Sequence, residues 1–161
     1  MYTEKARRVI FFARYEASIS GSPSIEPEHL LLGVLREDRP LTIRFFPSDE
    51  SLKSIRLQIE QCTPARERIS TSIDLPMSEA SNRVLAYSGE EADRLSRPAV
   101  GTEHLLLGLL RNEESFAAQI LRQFVDVTLD AVRQYASANS ETSKLVQDEG
   151  HRATIDRKSV V

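Results

Sequence analysis

Apolar residues recur along this chain at intervals of three and four, and the pattern occurs twice. In its first appearance Ala6, Val9, Ile10, Ala13 and Ala17 fall on one side of a helix of about five turns. Thr3 stands just before it, where a side-chain oxygen can satisfy an orphan amide of the first turn, and Ser22-Pro23 marks its end. A second helix from Pro27 is apolar almost all round, through Leu30, Leu31, Leu32, Val34 and Leu35, as expected of a helix buried at the centre of a bundle. Gly33 sits inside it, and glycine there costs about 1 kcal/mol relative to alanine, so a close approach by a neighbouring helix is the expected compensation. A short third helix is predicted over Pro40 to Phe46. A fourth, from about Asp49 to Gln61, turns Leu52, Ile55 and Ile59 to one side.

Sliding the sequence against itself by 75 positions repeats the whole pattern. Glu4, Arg8, Val9, Glu16, Ala17 and Pro23 fall on Glu79, Arg83, Val84, Glu91, Ala92 and Pro98. The run Glu28-His29-Leu30-Leu31-Leu32-Gly33 falls on Glu103-His104-Leu105-Leu106-Leu107-Gly108. Leu52, Ile55 and Arg56 then match Leu129, Val132 and Arg133 after a slip of two residues, a difference in loop length. Copies at fixed spacing are copies of one structural unit, and each covers the apolar side of the other. The fold class is therefore all-α, with eight helices in two pseudo-twofold-related four-helix repeats. Its expected third and fourth helices in the second copy run over Ser115 to Gln123 and Thr128 to Ala138. The organisation is one domain over 1–138, with repeat one at 2–61, an exposed connector at 62–76 and repeat two at 77–138. A polar tail at 139–161 is expected to be flexible or weakly helical.

Composition removes several classes of function. Lys and Arg number 21 against 24 Asp and Glu, so there is no basic excess for a nucleic-acid backbone. The early charges Glu4, Lys5, Arg7 and Arg8 and the shortness of the longest apolar run argue against a signal peptide or a membrane span. Cys62 is the only cysteine, which suits a reducing compartment, so a cytoplasmic protein, monomeric in isolation, is expected. The six glycines form no phosphate-binding loop and no serine lies in a nucleophile elbow. No enzyme activity, cofactor or metal is expected.

The duplicated pairs Glu28-His29 and Glu103-His104 invite a metal reading. Neighbouring residues on a helix point about 100° apart, which makes joint ligation by one pair difficult. The structural alternative is a partly buried histidine bonding across helices, beside a glutamate that the helix dipole favours at the first turn.

Tyr2-Thr3-Glu4-Lys5-Ala6 and the two Glu-His-Leu-Leu-Leu-Gly-hydrophobic-Leu-Arg runs resemble the Clp amino-terminal repeat domain over roughly residues 2 to 138. Val100-Gly101-Thr102-Glu103-His104 is most similar to the ClpC branch. The resemblance implies a docking domain that receives adaptor proteins and unfolded or tagged substrates for a Clp-type AAA+ unfoldase and its protease. It leaves open a ClpT-like accessory subunit on the Clp protease core and a stand-alone holding chaperone. It also implies two symmetric sites for phosphorylated arginine, with glutamates at Glu28 and Glu103 and hydroxyls at Thr3 and Ser78. A carboxylate can grip a guanidinium through two parallel hydrogen bonds, and a capped helix start can hold a phosphoryl group. An N-cap role explains Thr3 and Ser78 equally well. The Gly-Thr before Glu-His survives as Gly101-Thr102 but is Glu26-Pro27 in the first copy, which makes the second copy the better match.

Overall fold

The computed structural model describes residues 1–139, so the expected tail lies, from position 140 onward, outside the described residues. The first copy holds α1 (Glu4–Ile19), α2 (Pro27–Glu37), α3 (Arg39–Phe45) and α4 (Asp49–Cys62). The second holds α5 (Glu79–Arg94), α6 (Thr102–Arg111) and α7 (Phe116–Leu121). Helix α8 covers 129–139 within the described residues. The eight predicted helices are thus present, and the described residues contain no strand. None of the described helices is long and apolar enough to cross a membrane.

Local chemistry explains where the helices begin and end. Thr3 Oγ1 accepts the Ala6 amide at 3.1 Å, and Ser78 Oγ accepts the Ser81 amide at 3.1 Å, so both expected N-caps are in place. Each first helix ends in a residue with left-handed backbone, Gly21 at φ 72° and its counterpart Ser96 at φ 57°. Beyond these residues, the Ser22 and Arg97 amides donate to the Ala17 and Ala92 carbonyls, closing the last turn as such C-caps do.

The two near-continuously apolar helices occupy the centre. Leu30, Leu31, Leu105, Leu106 and Leu107 are fully buried. Helix α2 packs on α1, α6 on α5, and α2 and α6 touch each other. The glycines allow the tight first-to-second helix packing. A Cβ on Gly33 would sit 2.5 Å from the Val9 carbonyl oxygen, and one on Gly108 would collide with the Val84 carbonyl and the Ser88 hydroxyl. Backbone cannot yield as a side-chain tip can. Gly108→Ala is therefore expected to lose about 1–3 kcal/mol of stability by overpacking, although alanine is the better helix former by about 1 kcal/mol. Urea unfolding checks this, and a stabilised variant would show that the helices separate easily.

The halves are joined crosswise. Residues 1–3 run parallel to the segment before α6: the Thr3 amide donates to the Val100 carbonyl, and the Val100 amide to that of Met1, both at 2.9 Å. In the mirror arrangement the Ile25 amide donates to the Pro76 carbonyl at 2.8 Å and the Ser78 amide to the Ile25 carbonyl at 3.0 Å. The connecting segment is largely exposed, yet Leu75 is buried and the Ile69 amide donates to the Ser18 carbonyl at 2.9 Å. An aromatic contact closes the far side, where Phe46 meets Phe124 edge-on at 5.1 Å.

Candidate ligand-binding pocket

The crosswise joining decides which site residues meet. The start of α1 lies beside the start of α6, so Thr3 and Glu103, from different copies, line one cavity of about 330 Å³ with Lys5, Asp38, Arg97 and Tyr135. Ser78 faces Ile25, three residues ahead of Glu28. The Thr3–Glu103 pair is thus assembled from both halves of the chain.

In the α1–α6 pocket Thr102 donates its hydroxyl hydrogen to Oδ2 of Asp38 in a short bond. The other Asp38 oxygen accepts the Leu41 amide at 3.1 Å and caps α3. Glu103 folds back over Gly101, into space that a side chain at 101 would fill. Burial pushes the Glu103 carboxyl above the usual carboxylate range; a hydrogen bond to its own backbone opposes this, Asp38 adds to it, and Arg97 and Lys5 oppose it. Glu28 is raised for the same first reason, with its own backbone opposing and Glu26 adding.

Both histidines are buried, but their main bond differs from the expected contact between helices. The Gly101 amide donates to His104 Nδ1 at 2.8 Å, and the Glu26 amide donates to His29 Nδ1 at 2.9 Å. A side chain at the third helical position reaches its own N-cap amide more readily than it reaches another helix. With Nδ1 accepting, the proton of the neutral ring resides on Nε2. His29 Nε2 lies 3.5 Å from Ser20 Oγ. The counterpart of Ser20 is Leu95, and the buried Nε2 of His104 has no partner among the described residues. Buried Nη1 of Arg97, also on the pocket wall, is likewise without one.

Two further carboxylates recur in the sequence without an evident role there. Glu16 accepts from both terminal guanidinium nitrogens of Arg56, at 3.2 and 2.9 Å. Its counterpart Glu91, with no exposed surface, takes Arg133 at 3.0 and 2.8 Å and Arg111 at 3.1 Å. These pairs tie each fourth helix to its first. The signal for them was the joint recurrence of Glu16 and Arg56 as Glu91 and Arg133. Among the described residues, no group of three or more His, Cys, Asp or Glu side chains converges to hold a metal ion.

Fold and pocket together define a duplicated all-helical repeat domain. The chain belongs to the Clp repeat N-terminal domain family, which matches residues 1–124 and again 76–158. It is 32% identical over 163 residues to the ATP-dependent Clp protease ATP-binding subunit ClpA homolog of Porphyra purpurea, covering 96% of this chain and 20% of that protein. It is 36% identical over 121 residues to the chloroplastic chaperone protein ClpC of Pisum sativum, covering 74% of this chain and 13% of that protein. The chain thus spans a fifth or less of the length of these relatives. Among solved structures, the N-terminal domain of the ClpD chaperone from Arabidopsis thaliana superposes with a TM-score of 0.66 at 24% identity, over 88% of this chain and 94% of that one. The Hsp104 N-terminal domain from Candida albicans gives a TM-score of 0.64 at 17% identity, over 83% and 87%. These two likenesses show the shared fold.

Proposed function

We propose that this domain is a non-catalytic docking module that receives substrates or adaptor proteins for a Clp-type unfoldase, in a reducing compartment such as the cytoplasm. Its family membership supports the association with Clp. The observation that carries the recognition reading is the α1–α6 pocket, which gathers two carboxylates, Asp38 and Glu103, and two bases, Lys5 and Arg97, beside the N-terminus of α1. Such a wall suits a side chain carrying both signs of charge. Glu103 would hold a guanidinium through parallel hydrogen bonds, while Thr3, the first amides of α1, Lys5 and Arg97 would receive a phosphoryl group. Phosphorylated arginine on a docked polypeptide fits this description. The Thr3 capping bond leaves a second oxygen lone pair and the hydroxyl hydrogen available, so capping and recognition are compatible.

A holding role has its own support: Phe11, 57% exposed, lines an apolar groove with Ile10, Ile25, Leu75 and Met77. Affinity capture from native extract, followed by titration with free phosphoarginine, tests the leading reading. Co-purification of a Clp unfoldase or its protease and saturable phosphoarginine binding are expected. Suppression of aggregation by the isolated protein, with neither of those results, would favour the holding role instead.

A further inference from the structure

We infer that this chain carries one working pocket of the symmetric pair, and that Lys5 and Arg97 are the residues that let it accept a phosphoryl group beside a guanidinium. The inference rests on the recognition reading above and adds which site works and what selects the ligand.

The pseudo-twofold allows a wall-by-wall comparison. Thr3 and Glu103 keep their chemistry as Ser78 and Glu28. Lys5 becomes Ala80, Arg97 becomes Ser22, Gly101 becomes Glu26 and Thr102 becomes Pro27. Each exchange removes something an anion needs. Both basic walls are gone, and a carboxylate side chain stands in place of the glycine over which Glu103 folds. Proline at the first position of α2 takes away an amide that Thr102 retains at the start of α6. Ser22 cannot substitute for Arg97, since its hydroxyl donates to the Ser24 carbonyl at 2.6 Å. Glu26 is fixed in the site by a bond from the Ser24 hydroxyl at 2.5 Å. A phosphoryl group there would meet Glu26 and Glu28, and positions 22 and 80 offer it no cation.

The α1–α6 pocket holds spare donors as well as charge. Its wall residue His104 is 1% exposed, and among the described residues the buried His104 Nε2 and Arg97 Nη1 have no partners. Buried donors normally find partners. An anionic group reaching Arg97 would supply one, whereas the equivalent His29 already has Ser20 in range. The left-handed turn at Ser96 delivers Arg97 to this wall, and the parallel pairing of Tyr2 with Val100 brings Lys5 opposite.

Calorimetric titration of the full chain with free phosphoarginine tests this. One equivalent is expected to bind, Glu103→Ala is expected to leave no saturable binding, and Lys5→Ala and Arg97→Ser are each expected to weaken it at least about tenfold, as for loss of a charge-assisted hydrogen bond. Arg97→Lys, which keeps the charge, is expected to retain most of the affinity. Unmodified arginine is expected to bind at least about tenfold more weakly than phosphoarginine to the unaltered chain. The graft Ser22→Arg, Glu26→Gly, Ala80→Lys is expected to create a second equivalent, with circular dichroism confirming that each variant is folded. Two equivalents in the unaltered chain, or undiminished binding in folded Arg97→Ser, overturns the single-pocket inference and leaves the recognition reading standing. No binding to the unaltered chain overturns both.

Discussion

Glu91→Ala is expected to cost the fold about 3–5 kcal/mol, the range for removing one partner of a buried ion pair. Glu91 has no exposed surface and is bonded by Arg133 and Arg111, with Arg94 at 3.8 Å. The bonds from Arg133 hold its carboxyl below the usual carboxylate range, more strongly than burial raises it. Truncation removes the buried acceptor shared by Arg111 and Arg133, which are only 23% and 27% exposed, at the junction of α5, α6 and α8. Domains of this size are stable by only about 5–15 kcal/mol in total, so the variant sits near the threshold of folding. Glu16→Ala is expected to cost less, because its partner Arg56 is 47% exposed and water can take over. Guanidinium unfolding of both variants checks the order. A Glu91→Ala protein within about 1 kcal/mol of the parent would show that these bonds are offset by desolvation.

The second large effect is with pH. Burial lowers the pKa of His29 and of His104 to about 4, overcoming the opposing pull of Glu26 and Glu16 at the first; at the second, Arg97 adds to burial and Glu91 opposes. The unfolded chain protonates them near 6.5. Between these values the unfolded state binds more protons, so the stabilising contribution is complete above about pH 6.5 and is lost as pH falls toward about 4. Each histidine accounts for about 3 kcal/mol across that window. Glu28 and Glu103, with raised pKa values, act in the opposite sense just above 4.5, where the fold holds their protons. Comparing the parent with His29→Gln and His104→Gln at pH 7, 5.5 and 4.5 isolates the histidine part. The stability gap between parent and variant should narrow as pH falls. A gap independent of pH would mean that the imidazoles titrate normally inside the fold.

Much of the architecture was legible because it is written locally. Thr3 and Ser78 cap helices through their own side chains, and Gly33 and Gly108 announce close packing by being costly where they stand. The caps are made within a single turn, and the glycines are costly within their own helix although the neighbours they admit, Val9 and Val84, lie on another. The apolar spacing located all four helices of each copy, and the ends differ by a few residues where the last turns unwind, as at α7. The site was only half legible. Thr3 and Glu103 could be singled out by resemblance, but their meeting depends on single-residue parallel pairings, Tyr2 with Val100 and Ile25 with Met77, which are too short to leave an alternating pattern in the sequence. Arg97 lies in no motif, Lys5 stands in the Tyr2-to-Ala6 run without a role that the run itself reveals, and Asp38 reaches Thr102 from the other repeat. The histidine bonds went astray for a related reason. A buried imidazole next to several helices has many possible partners, and only the backbone geometry at the helix start shows that its own N-cap amide lies nearest.

The reciprocal bridges at Tyr2–Val100 and Ile25–Met77 have a mechanical consequence. Each repeat clasps the lead-in of the other's central helix, so neither can peel away while its sibling stays intact. Tension applied at the first residue is carried in shear to the middle of the molecule, and melting should be a single cooperative event despite the doubled ancestry of the chain.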